Sequence, residues 1–139
     1  MGKTRSGDDA AGPTPRRLRE LRGVLLRLHK TLLDTERDAY EQANGRVSSG
    51  ELLQLVINHE QFAWLHAVSE LIVRIDELLD ADEPATAGDA DALFAEARAL
   101  LKPSEAGGEF GRRYYAALQR EPAAVLAHRE LTLTLAAGA

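Results

Sequence analysis

Cysteine is absent from all 139 residues, so the chain has no disulfide framework and no thiolate ligand for zinc or an iron–sulfur cluster. A reducing, cytoplasmic setting is compatible with that absence. Aromatic residues amount to only 5%, while Ala and Leu dominate. That balance favours close-packed helices over a β-sandwich. Lysine is scarce too, with three residues against 14 arginines. Acidic residues are in excess and the formal net charge is −5. General nucleic-acid binding, which needs a basic footprint, is therefore not expected. No stretch stays apolar for the ~18 residues of a membrane span, and no apolar run follows the first basic residues, so neither a membrane partner nor a secretory signal is expected. The phosphate-cradling Gly-x-x-x-x-Gly-Lys and the nucleophile signature Gly-x-Ser-x-Gly are missing as well.

What remains is 45% apolar, enough to build one core in a chain of this length. Residues 1–15, MGKTRSGDDAAGPTP, combine Gly, Pro and charge and read as a disordered tail. A single helical domain is expected over 16–139. Its first helix is predicted from about Arg16 to Ala43, halted by Asn44-Gly45. Leu18, Leu21, Leu25, Leu28 and Leu32 recur there at spacings of three and four and so share one face. A second long helix is predicted to end near residue 80, with Ser48 or Ser49 as its cap. The short link over 44–49 makes the two an antiparallel hairpin. Three shorter helices are predicted at about 89–101, 109–120 and 122–135. The expected fold class is all-α: a long antiparallel helical hairpin with two to three shorter helices, like a four-helix bundle.

The block QFAWLHAVSELIVRIDELLDADEP, with EARALLKPSEAGGEFGRRYYAALQREPAAVLAH after it, resembles a family of small uncharacterised bacterial helical proteins over roughly residues 50–130. The resemblance implies a helical bundle and a bacterial source. It implies no activity.

Turning the second helix by ~100° per residue spreads its apolar side chains over an arc of roughly 220°. An arc that broad belongs to a central helix or to one with a second apolar surface against another chain. Trp64, Leu71 and Leu78, together with Tyr114, are the interface candidates. Asn58, Ser69 and Asp76 fall inside the same arc. A carboxylate in the interior must be paired, because desolvating a lone charge costs several kcal/mol. The hairpin brings Asp76 level with Arg19 and Arg22, and Arg112 or Arg113 are further candidates. On the first helix His29 and Glu36 lie two turns apart and point the same way, toward a pocket that Ser69 and Asp76 would complete. His66 and Glu70 share a line near the polar edge. The four histidines, His29, His59, His66 and His128, are too few and too scattered for a ferritin-like or hemerythrin-like centre, and no metal or other cofactor is expected.

Three functional expectations follow. The first is a non-enzymatic bundle acting through protein–protein contacts, self-associating as a homodimer. The second is a small-ligand or metal-binding bundle with its pocket at His29, Glu36, Ser69 and Asp76. The third is an enzyme using Asp76 with Arg113 or Tyr114.

Overall fold

The computed structural model describes residues 12–138, which form seven helices and no strand. Helix α1, Pro13–Asn44, opens with a proline in its first turn, a position where the missing N–H would be unsatisfied in any case. It therefore starts three residues before Arg16, within the stretch expected as a tail, of which residues 1–11 lie outside the described residues. Gly45, at φ 89°, ends it. That left-handed conformation suits glycine, and its N–H caps the Glu41 carbonyl.

The next stretch departs from expectation. In place of one helix there are three: α2, Ser49–Asn58; α3, Glu60–Ala63; and α4, His66–Asp80. Ser48 caps α2 reciprocally with Glu51. Helix α5, Ala87–Leu100, carries a second reciprocal cap, Thr86 with Asp89. Helix α6 is Glu109–Arg120 and α7 is Pro122–Ala137, so the alternating LTLTL ending is helical.

The result is an all-α bundle with α1 as its spine. Helices α7, α4 and α5 pack around α1, α5 also touches α4 and α7, and α6 lies against α7. The five leucines at spacings of three and four on α1 are all fully buried, each contributing about 1.5–3 kcal/mol by leaving water. They meet Phe62, Leu65, Val68 and Ile75 of the hairpin's second arm, Phe94 of α5, and Leu131 of α7 in one core. The α1–α7 contact is the most extensive, a role that the sequence does not reveal. Arg27 clamps Glu130 with two hydrogen bonds of 2.9 Å, and Arg17 donates to the Gly138 carbonyl at 2.7 Å while stacking over Phe94.

Helix α2 is the exception. None of its ten residues is buried.

Candidate functional site

The hairpin arms α1 and α4 meet along a polar seam with a regular step. Arg22 Nε donates to Asp76 Oδ1. Seven residues further along α1 and seven back along α4, His29 Nε2 and Ser69 Oγ share a hydrogen bond of 3.0 Å. A third step along α1 reaches Glu36, whose carboxylate accepts from Gln61 Nε2 at 3.0 Å and Trp64 Nε1 at 2.9 Å. Two helices in antiparallel contact repeat their facing positions about every seven residues, so the two α1–α4 pairs mark one seam, which Glu36 extends to Gln61 and Trp64 just before α4. Shifting the register by a turn would separate all of these contacts.

The seam is not a pocket. His29 and Ser69 form one pair, but Glu36 and Asp76 bond other partners at either end of the seam, so the structure does not bring the four together. Asp76 is also less enclosed than expected. Its side chain is 40% exposed and that of Arg22 is 39% exposed, so the pair behaves as a half-solvated bridge, worth roughly 0–1 kcal/mol. It sets register more than it adds stability. Glu36 is the buried carboxylate instead, at 7% exposure. Both of its side-chain partners are neutral, and among the described residues no Lys or Arg pairs with it. Gln61 also reaches the Glu36 carbonyl, at 3.3 Å.

Other candidates sit elsewhere. Asn58 is exposed and hydrogen-bonds Gln54, because the helix breaks just beyond it and its projection onto the Ser69–Asp76 line no longer applies. Arg113 pairs with Glu109 one turn away on α6 at 3.2 Å, and does not meet Asp76. Arg113 and Asn58 do share an open depression of about 440 Å³ with His59, Glu60 and Gln61. Three of the four interface candidates are interior: Trp64 packs on Phe110 at 5.2 Å between ring centres, Leu71 is buried, and Tyr114 is fully enclosed. Leu78 remains half-buried, in a groove beneath Pro13 and Pro15. His66, expected beside Glu70, holds the Val56 carbonyl at 2.7 Å. No group of three or more metal-capable side chains occurs among the described residues.

Sequence reasoning missed one polar pair in the core. The Tyr114 hydroxyl and His128 Nδ1 share a hydrogen bond of 2.6 Å, joining α6 to α7. Burial pushes the Tyr114 phenol above its ordinary value and holds both His29 and His128 below the usual 6.5, with the charge of His66 adding to the effect at His29. The two imidazoles are thus favoured in their neutral form in the fold, and the unfolded chain binds more protons below that value. Their contribution to stability is complete above pH 6.5 and is lost as pH falls through the lowered folded values. The urea midpoint is expected to drop between about pH 7.5 and about pH 5.5, above the range in which carboxylates titrate. A His29→Gln/His128→Gln variant should show a flatter profile over the same interval.

Two helices leave large aliphatic side chains uncovered: α7, at Val125, Leu126 and Leu133, and α2. The sequence of α2, SGELLQLVIN, carries five large aliphatic residues. Leu53 is 58% exposed and Ile57 55% exposed, while Leu52, Leu55 and Val56 only partly contact the core. Aliphatic side chains on every side of a helix call for cover on every side, and this chain covers α2 only in part. Val73 on the outer face of α4 is 52% exposed. No helix of the described residues is long and apolar enough to cross a membrane.

Fold and seam together define the molecule as an all-α helical bundle with a polar-registered hairpin and two helices that leave aliphatic side chains uncovered. No family model matches the chain, and neither the curated proteins nor the solved structures contain a match to it.

Proposed function

We propose that this protein is a non-enzymatic helical bundle that acts through protein–protein contacts made by α2, and that it self-associates as a homodimer. The observation that carries the proposal is the exposure of Leu53 and Ile57 on a helix none of whose residues is buried. An amphipathic surface helix has one apolar stripe, whereas this one has apolar residues beyond the stripe it turns to its own bundle. A two-fold axis across α2 would place Leu53 and Ile57 against their own counterparts, the self-complementary arrangement of most homodimers. A stable interface removes about 800 Å² per partner, so neighbouring surface must join the ten residues of α2. A bacterial source and a cytoplasmic location belong to the same proposal, supported by the cysteine-free, arginine-rich composition.

The ligand-pocket reading loses its support because Glu36 and Asp76 bond other partners, away from the His29–Ser69 pair. An enzyme built on Asp76 would need Arg113 or Tyr114 beside it. Arg113 is engaged with Glu109, and Tyr114 is enclosed against His128.

Sedimentation velocity across a concentration series tests the proposal. Twice the chain mass is expected at micromolar concentration, with a shift toward the single chain on dilution. A single-chain mass persisting to high micromolar concentration would overturn the homodimer.

A further inference from the structure

The chain has two asparagines, Asn44 and Asn58, and the structure places them alike. Each is the last residue of a helix, α1 or α2, and each is exposed. The Asn44 carboxamide donates to the Tyr40 carbonyl at 3.1 Å, and that of Asn58 donates to the Gln54 side chain at 3.2 Å. The backbone N–H that follows each one closes its helix at 2.8 Å, Gly45 onto the Glu41 carbonyl and His59 onto that of Leu55. The residue supplying that N–H sets them apart. After Asn58 it is a histidine, whose ring stands 5.4 Å from Tyr40 and 6.2 Å from Phe62 between centres. After Asn44 it is a glycine at φ 89°, and beyond its chain neighbours no atom lies within 4 Å of the place a Cβ would take. Glycine is the residue that lets a backbone nitrogen approach another group closely.

We propose that Asn44 is a site of spontaneous deamidation, paced by fraying of the last turn of α1. The Gly45 nitrogen gives up its proton to solvent base and attacks Cγ of the Asn44 side chain. A C–N bond forms there, the Cγ–Nδ2 bond breaks, and Nδ2 leaves as ammonia with a proton supplied by water. Water then opens the five-membered imide at either carbonyl, leaving aspartate or isoaspartate. Asn44 and Gly45 supply every reacting protein atom, and water is the co-reactant. In the folded helix the nitrogen is tied to Glu41 and the carboxamide to Tyr40, so ring closure waits for both to let go. Helix ends open locally at far less cost than the whole fold. The link beyond is pinned at Val47, whose N–H donates to Glu41 Oε2 and whose carbonyl accepts from Arg37, both at 2.9 Å. Fraying is thereby confined to the residues between Glu41 and Val47 and leaves the hairpin in place. The product puts an acceptor-only carboxylate where a donor faced the Tyr40 carbonyl, at the negative end of the α1 dipole. Deamidation therefore loosens the turn that restrained it. This chemistry is independent of what α2 binds.

Peptide mass mapping of the full chain during storage in mildly alkaline buffer tests the assignment. Trypsin releases Asn44 in the peptide 38–46, DAYEQANGR, apart from Asn58 in 47–74. A gain of about 1 Da, amide to carboxyl, is expected in 38–46 and not in 47–74, with isoaspartate identified by electron-transfer fragmentation. The same chain unfolded in guanidinium is expected to convert Asn44 at least about tenfold faster, since both ties are gone. Ala43→Gly, an exposed change in the last turn of α1, is expected to speed the folded chain about fivefold through its lower helix propensity. It should leave the unfolded rate unchanged. Asn44→Gln, whose ring would need six members, should hold 38–46 at its starting mass. An Asn44 that remains an amide in the folded chain would overturn the site, and an Asn58 that converts at the same pace would overturn the role of Gly45. Equal rates in the folded and unfolded chain, or no response to Ala43→Gly, would overturn the pacing by the helix end.

Discussion

Alanine in place of Tyr114 is expected to lower stability by about 3–5 kcal/mol, the range for removing a buried aromatic ring from a packed core. Small domains have only about 5–15 kcal/mol in all, so the variant should lose roughly 10–20 °C in melting temperature. Tyr114 is fully enclosed, its ring lies between Phe110 at 5.8 Å and His128 at 5.3 Å, and its hydroxyl is bonded to His128. It joins α6 and α7 through one side chain, and α7 is the widest neighbour of the spine. Tyr114→Phe separates packing from polarity. It keeps the ring and removes only the hydroxyl, for a loss of about 1 kcal/mol. Denaturant midpoints of the three proteins check both values. An alanine variant within ~0.5 kcal/mol of the parent, the range of a surface substitution, would mean that α6 is not packed on α7 as described.

Much of the fold was legible because it depends on local spacing. The leucines at 18, 21, 25, 28 and 32 predict the buried face of α1, and all five are buried. Ser48 caps α2, and α6 runs from Glu109 to Arg120 as its flanking turn residues indicate. The hairpin register puts Arg22 level with Asp76, and the two are hydrogen-bonded. The rest depends on contacts between residues far apart in the chain. Nothing near residue 59 signals a break, because its causes are Glu36 beneath Gln61 and Trp64, and the clasp of His66 on Val56. Once the helix breaks, Asn58 swings out to solvent and the projection that placed it in the interior fails. Part of the apolar breadth that suggested a second chain is taken up by this chain's own Phe110 against Trp64. Helix α7 was predicted, but its place as the main neighbour of α1 was not, for a related reason. It is apolar on both sides, with Ala124, Leu131 and Leu135 buried while Val125, Leu126 and Leu133 remain exposed, so periodicity gives it no direction.

Leu53→Glu/Ile57→Glu is expected to abolish self-association without unfolding the chain. Both side chains are more than half exposed, and substitutions at such positions usually change folding stability by no more than about 0.5 kcal/mol. At a two-fold contact the effect is far larger, because each glutamate would face its own counterpart. Four carboxylates brought together in place of four aliphatic side chains lose the apolar burial and add like-charge repulsion, several kcal/mol in total. Such a loss corresponds to at least a hundredfold weaker dimerisation. Lys or Asn at the same positions should weaken it too, since the loss of apolar burial is common to all three.

The most direct test of the account is the sedimentation mass of the parent and of Leu53→Glu/Ile57→Glu at the same micromolar concentration, with helicity recorded on both samples. A dimeric parent and an equally helical monomeric variant are the expected pair. Equal masses in two folded proteins would contradict the assignment of α2 as the surface through which this bundle works.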